Sequence, residues 1–334
     1  MTRWIPALVA TLALLLPGCG DDGTSDDGEA SVASDLAEVA PLPEGGVVVD
    51  MQPGVPVELL PGTSQIDFPE QIIPAASEIQ TCMFMEPLKE TTFFKALRAF
   101  QGRYGHHLIL FKTSAPEEPG TVRDCTEAGE MKFITPVLSS VNFGLEKFPE
   151  GMALEVEAGA QLVVQQHYVN TSEEPIRVRD SIHVETVRGD SVQELAGFYG
   201  ISELLFQLEP TSEDTTLRFE CTIPADLNLL MVGPHMHEWG TQFYADVGAA
   251  ENPTRVIDIP EWEAEYRDDP PVAEFSRENP LAVSQGDVIR TTCVWQNTTD
   301  HVIGFPEEMC ATYGYFFPAT PEMKEWTCAG TVLP

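Results

Sequence analysis

Two histidines one residue apart, in Gly233-Pro234-His235-Met236-His237, are the residues best suited to chemistry in this sequence. On an extended strand successive side chains point to opposite faces, so these imidazoles fall on one face and can grip a single metal ion. Glu308-Met309-Cys310 follows much later in the chain. A thioether from Met309 as third ligand is soft, favours Cu(I) over zinc, and leaves a coordination position open to a small molecule. A second cluster is His106-His107, directly after Gly105, with His167 in Gln165-Gln166-His167-Tyr168. Adjacent residues on a regular strand face opposite ways. One ion can therefore use both His106 and His107 only where the backbone departs from ideal, which Gly105 permits. The bland alternative is one buried, hydrogen-bonded imidazole beside an exposed one. His183 and His301 stand alone and read as structural.

The elements that must position these residues read as strands. Leu217, Phe219, Cys221 and Ile223 alternate with Arg218, Glu220 and Thr222, the pattern of a half-buried strand. The run from Leu162 to Val169 is β-branched and places His167 on the face of Val163 and Gln165. Ile289, Thr291, Cys293 and Trp295 share one side after the turn signal Gln285-Gly286-Asp287. The face of His235 continues through Trp239, Thr241, Phe243 and Ala245, which predicts one strand from His235 to Val247. The segment from Phe93 to Phe100 fits either a strand or a helix. With 27 prolines punctuating such runs, the fold class is all-β, of sandwich or barrel type. No GxGxxG, Walker loop, GxSxG or HExxH occurs, so the nucleotide-binding, serine-hydrolase and zincin readings have no foothold.

The 334 residues suit two globular domains and a tail. A formal net charge of −35 argues against nucleic acid, whose phosphates need clustered Lys and Arg, and would attract cations. At the N-terminus, Arg3 precedes an apolar run from Ile5 to Leu16 that is too short for a comfortable membrane span. It ends in Leu16-Pro17-Gly18-Cys19, which resembles the lipobox of bacterial lipoproteins. That resemblance implies a signal peptide over residues 1–18, lipidation of Cys19 and an exported, membrane-anchored protein. Residues 19–61, rich in Asp, Gly, Ser and Pro, read as a flexible acidic tether. Setting Cys19 aside leaves Cys82, Cys125, Cys221, Cys293, Cys310 and Cys328. An even number in an exported chain implies disulfides, and six allow fifteen pairings that spacing cannot choose between.

His106-His107 after a glycine, Gln-x-His-Tyr at His167, His-x-His at 235 and 237, and Glu-Met-Cys at 308–310 occur in one order. Together they resemble the copper type II, ascorbate-dependent monooxygenases, over nearly all of the exported part, from about residue 82 to 328. The resemblance implies two antiparallel eight-stranded β-sandwich, jelly-roll-like domains in tandem, at 62–195 and 196–334, with the boundary near 195–196. It implies two copper ions, O2 as co-substrate and ascorbate or an equivalent one-electron reductant. His106, His107 and His167 would hold the electron-supplying copper, and His235, His237 and Met309 the catalytic, O2-binding one. The family pattern also implies the bridges Cys82–Cys125, Cys221–Cys328 and Cys293–Cys310.

The substrate pocket departs from the family. Peptide-amidating members hold a carboxylate with an Arg two residues before the His-x-His and an Asn two residues after the Met. Those positions are Gly233 and Ala311 here, while Tyr313 matches the tyrosine of that pocket. A buried carboxylate without its cation is costly, so a glycine-extended peptide is disfavoured. The leading expectation is a monooxygenase hydroxylating a C–H bond of a small organic substrate. A non-catalytic copper-storage lipoprotein and a β-sandwich scaffold with incidental histidines are the alternatives. Oligomeric state is not legible.

Overall fold

The computed structural model describes residues 48–51, 63–125, 134–141, 144–267, 269–305 and 307–333. Cys19, the expected signal peptide and most of the expected tether lie outside them. The described chain is almost wholly β, in sheets with no closed barrel. Among the described residues no helix is long and apolar enough to cross a membrane.

Two five-stranded sheets carry most of the site residues. In the first, Gln161–Asn170 is central, flanked by Ser77–Phe84 and Gly105–Thr113, with Val122–Asp124 and Ile134–Val141 at the edges. In the second, Gly240–Gly248 and Thr215–Thr222 flank Val288–Trp295, with Thr254–Ile259 and Thr331–Val332 outside. Both pack against one long, twelve-stranded sheet that runs through both halves of the chain. Its middle strand, Glu194–Ser202, pairs in parallel with Met152–Val156 and antiparallel with Ala311–Phe317. The sheet passes without a break through residues 195–196, and the set of sheets is consistent with β-sandwich domains. Pairing is mainly antiparallel, the exceptions including Met152–Val156 and Glu325–Ala329 against Glu194–Ser202.

Alternation behaves as the sequence predicts where one face meets a core. Phe219, Cys221, Ile289, Thr291, Cys293 and Trp295 are buried to within 1%. Gln161–Asn170 differs: nine of its ten residues are buried, because both faces are covered. Leu162 and Val164 enter the main core with Leu108 and Leu110, while Val163 joins a smaller cluster with Cys82, Phe84, Phe111 and Cys125 on the opposite face. His167 lies on that second face, away from the main core.

One open assignment is resolved and two expectations need correction. The ambiguous segment is a strand, Thr92–Phe100, because it pairs with Ser181–Val187 and Met152–Val156. His235 ends one strand, Met231–His235, and a new one starts at Gly240, so His237 sits in the connection rather than on one continuous strand. Within the supposed tether, Val49–Met51 forms a strand parallel to Ile176–Val178.

The strand Ala311–Phe317 divides its side chains between two cores. Phe316 belongs with Tyr199, Phe243 and Trp295, whereas Tyr315 and Phe317 pack with Leu97, Leu154 and Phe198. Tyr315 donates to the Val137 carbonyl at 3.3 Å and lies beside the Glu146 carboxylate, which accepts the Ser139 N–H. Burial nevertheless pushes Glu146 from 4.5 up to about 7. A carboxylic acid with a raised pKa stabilises the fold fully below its unfolded value, and that contribution is lost as pH rises through the folded value. The unfolding free energy relative to a Glu146→Gln variant should therefore fall by up to about 3 kcal/mol between roughly pH 4.5 and 8, each unit being about 1.4 kcal/mol. Urea unfolding across that range checks it. A pH-independent difference would contradict it.

Candidate metal centres

The first cluster is assembled by a defect in the sheet. His167 lies opposite His107, but the next residue, Tyr168, lies opposite Gly105, so His106 is the extra residue of a bulge. The bulge turns both adjacent imidazoles toward His167, with ring centroids at 5.2 Å for His106 and 4.8 Å for His107. The local backbone is unusual. Tyr104 has φ of 71°, and a Cβ at Gly105 would fall 2.4 Å from Gln101 Cβ, so only glycine fits without rearrangement. The ligand-capable atoms of His106, His107 and His167 all lie within 4.8 Å of one another.

Neighbouring groups set the imidazole tautomers. His167 is fully buried, and its Nε2 lies 3.0 Å from Glu78 Oε1. The His167 hydrogen bond, followed by Arg267, draws the Glu78 carboxyl down to about 2, so it is an anion that requires a donor. Nε2 of His167 therefore carries the proton, and the lone pair that a metal takes is on Nδ1. His107 Nε2 faces Gln165 Oε1 at 3.4 Å, while the amide nitrogen of Gln165 donates to Gln80. That arrangement gives His107 the same tautomer.

The second cluster uses the opposite nitrogens. His235 Nε2 and His237 Nε2 stand 3.2 Å apart, with the rings nearly perpendicular at 83°. Two nitrogens bound to one tetrahedral ion at about 2.0–2.1 Å stand about 3.3 Å apart. His237 Nδ1 lies 3.0 Å from the Glu307 carbonyl and donates to it, leaving the Nε2 lone pair for a metal. Trp262 Nε1 donates to the His237 carbonyl, fixing the turn from the other side. The His235–His237 separation and the tautomers of His107, His167 and His237 thus suit a metal.

Met309 reaches this turn through Glu308, whose role the sequence did not disclose. Glu308 is fully buried, and its Oε1 accepts the backbone N–H groups of His237 and Met309. Its Oε2 accepts the N–H of Trp239 at 3.2 Å. Burial pushes its carboxyl up to about 7, although these three donors oppose the shift. Cys310, next in sequence, is bridged to Cys293 on the buried Val288–Trp295 strand. Met309 is therefore held on both sides, with its half-buried side chain between. The other bridges are Cys82–Cys125 and Cys221–Cys328, so all three pairings implied by the resemblance are present.

Beside this centre, His235 pairs with Ala311 and Gly233 with Tyr313. The Tyr313 ring covers Gly233, where a Cβ would meet the ring at 2.9 Å. An arginine could not occupy position 233 without displacing Tyr313. His183 and His301 join neither cluster: His183 packs at a tilt against Phe100, centroids 4.5 Å apart, and His301 is exposed beside Asp300 and Glu307. Among the residues that sequence reasoning missed, Glu308 had a signal, being an acid wedged between a ligand and a core cysteine. Glu78 and Arg267 had none, since partners so distant in sequence meet only after folding.

Comparison with known proteins finds one family model and distant relatives. Residues 200–333 match the copper type II ascorbate-dependent monooxygenase C-terminal domain. The chain is 26% identical over 244 residues to peptidyl-glycine alpha-amidating monooxygenase A of Xenopus laevis, covering 69% of this chain and 25% of that protein. It is equally similar to monooxygenase B of the same organism, covering 69% of this chain and 27% of the relative. The chain thus spans about a quarter of the length of the curated relatives it matches. Residues 200–333 are thus similar to the C-terminal domain of the copper type II ascorbate-dependent monooxygenases, a family dependent on copper and ascorbate.

Two substitutions separate the supports of the second centre. Glu308→Ala removes the acceptor of three backbone donors and should weaken copper binding at His235 and His237 about 10–100-fold. Occupancy of the three-histidine cluster should remain, as measured by copper titration with a competing chelator. Cys293→Ser should lower copper occupancy at the methionine centre at temperatures where circular dichroism still reports a folded protein. Equal loss at both centres in either variant would contradict this division.

Proposed function

We propose that the chain is a two-copper monooxygenase that hydroxylates a C–H bond of a small organic substrate, using O2 and an ascorbate-like one-electron reductant. The observation that carries the reading is the pair of dissimilar ligand sets. One is three imidazoles on a bulged strand pair. The other is two imidazoles facing at 3.2 Å, with a methionine tied to their turn by a shared buried carboxylate. Storage alone gives no reason for two sets of different softness.

Copper bound at these residues would supply one-electron redox chemistry and O2 activation. The protein's part is to orient and exclude. His106, His107 and His167 offer nitrogen donors alone and suit a copper that passes electrons. Met309 offers a soft donor that favours Cu(I) beside His235 and His237. Glu308 and the Cys293–Cys310 bridge keep that donor from swinging away. Tyr313, packed over Gly233, lines the approach in place of a cationic clamp, so the substrate we propose is neutral or cationic rather than a carboxylate-bearing peptide. The net charge of −35 accords with this.

The three disulfides accord with an oxidising, extracytoplasmic location. Together with the lipobox-like Cys19, they support our proposal of an exported, lipid-anchored protein.

The test is copper content after reconstitution, followed by ascorbate-dependent O2 consumption against a panel of small amines, phenols and amides. Met309→Ile should abolish product formation, by at least about 100-fold, roughly 2.7 kcal/mol in barrier, while the three-histidine cluster still loads. Two bound coppers without ascorbate-driven O2 uptake on any substrate would favour storage instead.

A further inference from the structure

Arg267 closes a short 3-10 turn, Ala264–Arg267, that is anchored to the second centre. Trp262, just before the turn, donates to the His237 carbonyl and packs edge-on against Tyr266 with centroids at 5.6 Å. From this base the Arg267 guanidinium, 13% exposed, reaches two carboxylates at once. One nitrogen meets Glu238, the residue directly after His237, and the other meets Glu78, whose same Oε1 is bonded to His167. The result is a continuous chain of contacts: His167, Glu78, Arg267, Glu238 and the backbone of His237. It joins a ligand of the three-histidine cluster to a ligand of the methionine centre across elements nearly 190 residues apart.

We propose that Arg267 is a positioning residue that fixes the separation and relative orientation of the two metal centres. This rests on the two-copper reading above. The physical case is that a planar guanidinium presents several donors in a fixed fork, so one side chain can hold two anions in a set geometry. Removing it leaves two carboxylates facing each other unneutralised, and their repulsion drives the Ser77–Phe84 strand away from the 238 turn. Electron transfer between the centres depends on their spacing. A latch built from both ligand neighbourhoods gives the two halves one working distance.

The experiment loads the full chain with Cu(II), measures copper stoichiometry, and then records the dipolar coupling between the two ions by pulsed electron paramagnetic resonance. The wild type should bind two coppers per chain and give one narrow coupling. Arg267→Ala should retain both coppers and their individual spectra but shift the coupling to weaker, more widely distributed values. Arg267→Lys, a compact cation that cannot span both acids, should lie between, and Glu238→Gln should move in the same direction as alanine. A merely structural arginine would lower the melting temperature without changing the coupling of the folded protein. An unchanged coupling in folded, doubly loaded Arg267→Ala overturns the inference. So does selective loss of one copper in that variant, which would assign Arg267 to a single centre. A wild-type protein that fails to bind two coppers refutes the two-copper reading itself, and the inference with it.

Discussion

A buried carboxylate holds the second centre together. Glu308 accepts backbone N–H groups from His237, Trp239 and Met309, which brings a turn and a loop about seventy residues apart in sequence onto the same two oxygens. Burying an acid costs free energy unless its lone pairs are filled, and the backbone fills them. Those N–H groups would otherwise be unsatisfied donors where the strand Met231–His235 stops, before Gly240 resumes the sheet. The same interaction thus repairs a break in the sheet and ties the Met309 backbone to the turn that carries His237. The Cys293–Cys310 bridge then fastens the loop to a largely buried strand.

The first cluster is solved differently. Its three imidazoles come from two paired strands, and an irregular register puts neighbouring residues on one side. This strategy needs no long-range tether. It does need a residue without a side chain at 105, and it places the cluster on the outer face of a sheet whose inner face carries the main core. The two centres therefore differ in construction as well as in ligand chemistry. The long sheet beneath them, with Ala311–Phe317 feeding side chains into both cores, makes one continuous support for both.

Much of this was legible beforehand because strand alternation and residue chemistry are local. The all-β class, the buried faces around Phe219 and Ile289, and the need for a backbone irregularity at His106-His107 all follow from neighbouring residues. The continuous strand expected through His235 and His237 failed because alternation continues through a turn when the turn is itself packed. Trp239 and Phe243 are apolar for reasons of burial, and periodicity cannot distinguish that from an unbroken strand. The helix-or-strand ambiguity at 92–100 was resolved by pairing partners, which a single segment does not reveal. The bridging roles of Glu78 and Arg267 were invisible for the same reason, being an acid and a base among many until the sheets bring them together. The disulfide pairing followed from family likeness, since spacing alone left fifteen possibilities.

The account turns on two pockets of unlike softness in one chain. X-ray absorption of fully reduced, reconstituted protein reads that directly. The account predicts two coppers per chain with nitrogen ligation throughout and a sulfur scatterer at one copper of the two, which disappears on replacing Met309. Sub-stoichiometric copper, or a spectrum of nitrogen and oxygen ligands unaffected by that replacement, would contradict it.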